Sequence, residues 1–308
     1  MIAQKLGAPV MPLDEIRPHI ERVVRHLGEF DPVYVVTGDT DFKSDEAIRY
    51  YEEGLSAVCE LVPNALRCMH INRANRTIPE QFIDRLDFYM YQPGHNYEGQ
   101  SEAWKLPEDF RASYPQKPLL NSEPCYEQMG ASRNVYWRFT AQDCRASAWS
   151  GILSGAAAGL TYGAHGVWNW QTVQSKGSVL GEGFDMPFRW QECLQFPGVW
   201  DYGMVPHVLN SLTEGGLHAV VPAQELLDDA REAIRVARVG DRVVVYLPHT
   251  TALKLHGPFA DMEAVAFDLE DKRVAHLPMR VDTQTGMTRV EQHPFGHDAL
   301  VILKPAAH

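Results

Sequence analysis

The chain has 308 residues, 45% of them apolar and 22% charged, the make-up of a folded protein with a sizeable core. Its net charge of −12 argues against nucleic acid and anionic membrane as partners, because both demand a positive face. The 5 cysteines include no CxxC pair, so free thiols are expected rather than a disulfide framework or a zinc ribbon. The opening MIAQKLGAPV lacks the basic region and apolar run of a secretory signal, and no stretch approaches the ~18 apolar residues of a bilayer span. A cytoplasmic location is the expectation.

Residues 14–27 are expected to be helical. Ile16, Ile20, Val23, Val24 and Leu27 share one face, Asp14 stands where a cap would, and Gly28 stands where a helix ends. Residues 33–37, after Pro32, are β-branched and aromatic and predict a strand. Ile48, Tyr51, Leu55 and Val58 recur at helical spacing. Further strands are expected over 66–71, 87–91 and 119–122, with a helix near 102–113. Thr77 and Glu80 have the spacing of a capping box for a short helix. A long helix is expected over 140–157 and another strand within 160–170. Gly177, Gly181 and Gly183 mark a loop before helical segments that reach about residue 212. This alternation predicts a parallel sheet with crossover helices, in about five βα units where a closed (β/α)8 barrel has eight. Beyond residue 215 the pattern turns to short strands, over 233–238, 243–247, 263–268 and 299–303, with a turn at Thr285-Gly286. Two domains are therefore expected: an incomplete barrel-type α/β domain over 1–214 and a small antiparallel β-sandwich over 215–308.

The unusual polar and aromatic residues gather after the expected strands. Asp39 and Asp41 follow the first, His70 and Asn72 the second, and Gln92 and His95 the third. Glu123, Tyr126 and Glu127 follow the fourth, and Tyr162, His165, Trp168, Trp170 and Gln171 the fifth. In a parallel sheet these ends share the face where ligands bind. Two strand-end carboxylates, Asp39 and Glu123, suggest glycosidic chemistry, in which one acid protonates the leaving oxygen and the other attacks or activates water. Asp39 also suits a turn, and Asp41 suits one better. Glu127 is open between a substrate contact and an ion pair with an arginine such as Arg133 or Arg145. Trp168 and Trp170 are either core or a sugar-stacking platform. His70, His95 and His165 have no HxxxH-type spacing, so no metal is assigned to them.

The segments VVTGDTDF, DFYMYQPGH, PLLNSEPCYE and the run from Arg145 through SGAAAGLTYGAHGVWNW, with the tail GHDALVILKP, resemble the apiosidase-like glycoside hydrolases. The resemblance implies a (β/α)8 barrel followed by a small β-sandwich, and a retaining mechanism without a cofactor. It places Asp39 as acid/base and Glu123 as nucleophile. Gln92, His95, Tyr126, Glu127, Tyr162, His165 and Trp168 match pocket-lining positions. The implied substrate is an oligosaccharide or other glycoside of plant or microbial origin. By this likeness the five βα units are the fourth to eighth, and the first three are not seen before Asp14. That implies open barrel edges covered by a homo-oligomer or a complementing chain. The alternative is a catalytically inactive relative that binds carbohydrate or protein. For the chemistry, Asp39 must carry a proton at rest and Glu123 must stay ionised, helped by neighbours such as Tyr126 or Asn121.

Overall fold

The computed structural model describes residues 11–132, 135–175, 185–229 and 231–306. The glycine loop at 177, 181 and 183 lies outside these residues. Helix α1 spans Leu13–Leu27; Pro12, not Asp14, holds the capping position, and Asp14 lies in the first turn, where its charge suits the helix dipole. Strand β1 (Tyr34–Val35) leads to α2 (Asp45–Leu61), capped by Ser44, whose side chain accepts the Ala47 N–H. The expected stripe on α2 is realised: Tyr51, Leu55 and Val58 are buried. Next come β2 (Arg67–Cys68), α3 (Glu80–Ile83), β3 (Tyr89–Tyr91), α4 (Glu102–Ser113) and β4 (Leu119–Asn121). No Thr77–Glu80 capping box forms, because Pro79 occupies the position before α3 and makes no side-chain cap. An unforeseen antiparallel hairpin follows, β5 (Gly130–Ser132) with β6 (Val135–Arg138). Then come α5 (Ala141–Leu153), closed at its start by a capping box of Thr140 and Asp143, β7 (Gly159–Leu160), α6 (Trp190–Cys193) and α7 (Pro197–Leu212).

The five parallel strands lie side by side in chain order. β1 pairs with β2, and β4 pairs with β3 and β7, all parallel. The Asp87 N–H donates to the Arg67 carbonyl and the Ala74 N–H to the Gln92 carbonyl, which links the β2 and β3 segments. The named strands are short because pairing continues as single bridges, Thr40 with Ile71 and Glu127 with Ala164. Trp149, Tyr89, Tyr91, Phe82, Phe110, Met69 and Ile71 fill the space between strands and helices. All strand carboxyl ends therefore emerge on one side, where the polar residues sit. Among the described residues, the outer edge of β1 has no pairing strand. Val33 and Val35 are exposed there, beside a groove lined by Ile16, Ile20, Val23, Tyr34 and Val58.

The C-terminal part is all β. β8 (Val220–Pro222), β9 (Arg235–Val239), β10 (Arg242–Leu247), β11 (Leu253–His256), β12 (Met262–Asp268), β13 (Val274–Leu277), β14 (Met279–Asp282), β15 (Met287–Val290) and β16 (Ala299–Pro305) form two sheets. One has the order β13-β12-β16-β10-β9-β8, the other β11-β15-β14, and every pairing is antiparallel. The Thr285-Gly286 turn joins β14 to β15, with Gly286 at φ 68°. Strand β10, in the middle of the larger sheet, is buried on both faces. Val243, Val245 and Leu247 of β10 pack toward Leu253, Leu255 and Val290 of the smaller sheet. Val244 and Tyr246 face the other way and join the core that holds Trp149 and Val205. Burial on both faces explains the unbroken apolar run at 243–247. No described helix is long and apolar enough to cross a membrane. All five cysteines are free thiols, four of them buried.

Candidate active site

The chain after β1 turns sharply. Asp39 and Phe42 adopt left-handed φ values of 49° and 55°, unusual for residues with a side chain. The turn aims the Asp39 side chain and its own N–H at His70, which follows β2. The Asp39 N–H donates to His70 Nδ1 at 3.4 Å, and Asp39 Oδ1 lies 3.6 Å from the same nitrogen. The Thr37 hydroxyl donates to the His70 carbonyl at 2.5 Å and fixes that backbone. The other ring nitrogen, Nε2, faces Glu123 Oε2 at 3.2 Å. Glu123 follows β4, with Pro124 breaking the strand behind it. Its other oxygen, Oε1, lies 2.7 Å from His95 Nε2. The His95 ring packs against Tyr126 with centroids 4.0 Å apart.

Electrostatics follow from this geometry. Burial alone would raise the Glu123 carboxyl, but hydrogen bonds and charge from His70 and His95 outweigh it and bring the group down to about 2. Glu123 is therefore held as an ion. Burial, with the Glu123 charge beside it, pushes the Tyr126 phenol up and keeps it protonated. The two imidazoles, not Asn121, are the partners of Glu123; Asn121 is buried below with both amide atoms unpartnered. One donor atom each of Asp39, His70 and Glu123 lies within 4.8 Å of the others. His165 stands apart from this cluster.

The remaining expected site residues divide. Asp41 serves its turn, accepting the Lys43 N–H at 3.2 Å, which lowers its carboxyl below the usual range. Asn72 accepts the Arg73 N–H at 2.8 Å. Trp168 and Trp170 are exposed, and Trp170 stacks on Trp190 at 4.4 Å and 11°. Gln92, with an unpartnered Oε1, and Gln171, bonded to Asn169, are buried.

Glu127 is a correction on both alternatives. It is 1% exposed and accepts from the Tyr162 hydroxyl at 2.6 Å and from the Gly198 N–H at 2.9 Å, so it anchors the first turn of α7. Burial raises its carboxyl, opposed by those hydrogen bonds. Arg145 is committed to Asp201, Asp298 and Glu270, and Arg133 lies outside the described residues. Tyr162 is half-buried, with its hydroxyl donated to Glu127. His165 is fully buried, bonded through Nε2 to the Asp185 carbonyl at 3.0 Å, and burial lowers its tendency to protonate. Thr37 and Trp190 were not anticipated; Thr37 acts through its position beside a strand end, which no motif marks.

Residues 3–214 match the family described as apiosidase-like, catalytic domain. No curated protein matches the chain in sequence. Among solved structures, one described as a glycoside hydrolase is similar over 97% of this chain and 70% of its own, with TM-score 0.78 and 18% identity. A family 5 glycoside hydrolase from Bacteroides vulgatus is similar over 97% and 67%, with TM-score 0.79 and 17% identity. Eubacterium rectale Amy13B is similar over 97% and 65%, with TM-score 0.55 and 9% identity. At these identities the likeness is one of fold.

Proposed function

We propose, from the premise that this chain belongs to the apiosidase-like family of glycoside hydrolases, that it cleaves a glycosidic bond with retention of configuration. Glu123 is the nucleophile and Asp39 the acid/base. The observation that carries this reading is the approach of an Asp39 carboxyl oxygen to a Glu123 oxygen within 4.8 Å. That brings the two oxygens close enough to flank one glycosidic linkage, and retention is what the family resemblance implies. A charged Glu123 bonds to the anomeric carbon while Asp39 protonates the departing oxygen. Water then reverses the attachment, giving its proton to Asp39. Trp168 and Trp170, exposed beyond β7, offer apolar faces on which a sugar ring stacks.

The test is hydrolysis of a panel of aryl glycosides. On any that the wild type cleaves, Glu123→Gln is expected to lower kcat by about 10³-fold or more. Equal rates for the two proteins would remove Glu123 from the mechanism.

A second element of the reading concerns assembly. The five parallel strands are taken as five of a (β/α)8 barrel, and the two C-terminal sheets as a sandwich packed on α5 and α7. The unpaired edge of β1, with exposed Val33 and Val35, favours a further strand from another polypeptide segment or chain. If activity is absent while glycan binding persists, the binding-only alternative is the better description.

A further inference from the structure

This inference rests on the retaining reading above. We infer that Gly163 is a positioning residue for the nucleophile: its bare backbone makes the space in which the Tyr126 ring rests against His95, and His95 holds Glu123. Three contacts link the four residues. A methyl group on Gly163 would overlap ring carbons Cγ, Cδ1 and Cε1 of Tyr126, so the ring lies directly on that backbone. The Tyr126 and His95 rings pack with centroids 4.0 Å apart and planes tilted by 42°. His95 Nε2 lies 2.7 Å from Glu123 Oε1. An ionised carboxylate only accepts, so the imidazole donates in that bond.

Space, rather than backbone conformation, requires the glycine. Gly163 is not among the left-handed glycines, so its φ is open to any residue. The overlap begins at Cγ, the root of the ring, so turning the ring in place does not clear it. Gly163 itself is pinned, because its carbonyl accepts the Glu127 N–H at 2.9 Å and Glu127 bridges to Ala164. Tyr126 is therefore the part that yields to an added methyl. His95 is poorly held without it. Its Nδ1 is buried and has no hydrogen-bond partner among the described residues, so its hydrogen bonding rests on Glu123 and its ring packs on Tyr126.

The titratable groups facing Glu123 are His95, His70, Tyr126 and Asp39, supplied by the segments after β3, β2, β4 and β1. Asp39 and His70 are linked to each other on the β1 and β2 side. His95 and Tyr126 are the two that the Gly163 backbone supports. Moving them leaves Glu123 less well aimed and its ion with a weaker donor, and a misplacement of about 1 Å in such groups costs up to about 10²-fold in rate.

The experiment is a double-mutant cycle of Gly163→Ala and Tyr126→Ala on one cleaved aryl glycoside. Gly163→Ala is expected to lower kcat by about 10-fold or more with KM within about 2-fold. It also moves the acid limb of the kcat/KM profile to higher pH, because the Glu123 ion loses part of its donor. In Tyr126→Ala the ring is gone and the methyl has nothing to displace, so adding Gly163→Ala is expected to change kcat by less than about 2-fold. Losses that multiply, or an effect on KM alone, would overturn the inference. If Gly163→Ala does not fold, the double variant is compared with Tyr126→Ala on the same criterion. A double variant that fails to fold where Tyr126→Ala folds also overturns it. A readout without turnover accompanies the cycle: the imidazole C–H resonances of His95 in the intact chain, assigned by their loss in His95→Ala, are expected to shift in Gly163→Ala as the neighbouring ring moves. Unmoved resonances overturn the inference whether or not the protein is active. If no glycoside is cleaved, it is the retaining reading that fails, and the spectra still judge Gly163.

Discussion

Glu123 and Glu127 stand four residues apart and show how position alone assigns a carboxyl group its work. Glu123 follows a strand end and meets two imidazoles, which bring it down to about 2. Its folded value is depressed, so its contribution to stability is present above the ordinary carboxylate range and is lost as pH falls through that range toward about 2. Glu127 turns the other way, into the core beneath α7, where burial raises it. Its value lies in the two hydrogen bonds it accepts. Glu127→Ala is expected to lower stability by about 1–3 kcal/mol, because it strands the Tyr162 hydroxyl and the Gly198 N–H without an acceptor. Urea unfolding measures this; an unchanged midpoint would show that water replaces the carboxylate. The sequence motif contained both acids, but only the direction of each side chain separates the one beside the imidazoles from the one in the core.

At the scale of elements, α5 is the element that ties the helices to the C-terminal strands. Its Arg145 side chain is 4% exposed and binds Asp201 of α7 at 2.8 Å and Asp298, just before β16, at 2.7 Å. Lys272 also reaches Asp201, at 2.6 Å. Arg145→Ala leaves fully buried Asp298 without its main cation and is expected to cost about 3–5 kcal/mol. A fall in melting temperature of only a degree or two would mean that the network relaxes around water. Elements with strong periodicity, such as α2, were legible from spacing because their apolar stripe meets the core in one register. The β5–β6 hairpin was not. Its strands have three and four residues, too short to display an alternation, and they exist because each pairs with the other.

For the molecule as a whole, the apolar surface is unevenly distributed. Val33, Val35, Phe30 and Leu66 are exposed around β1, and Trp170, Val173, Leu194 and Trp200 around β7 and the helices after it. An unpaired strand beside an apolar groove seeks a partner. Concentration-dependent association in sedimentation is therefore expected, weakened by Val35→Lys, whose charge disfavours edge pairing. A strictly monomeric wild type over the micromolar range would contradict the assembly proposed above. The central strands of the six-stranded sheet, covered by the helices on one face and the smaller sheet on the other, make the C-terminal part integral to the core rather than an appendage.

Local sequence determined the alternation of strand and helix, the change to antiparallel strands after residue 215, and the gathering of acids and histidines after the parallel strands. Those features depend on side-chain periodicity and on turn chemistry, which act between near neighbours. Tertiary structure alone decided that His70 and His95 bracket Glu123, that Glu127 and His165 are enclosed, and that β10 is covered on both faces. Each of these is a contact between segments distant along the chain. Burial and hydrogen-bond partners across such distances arise only when the strands are laid side by side.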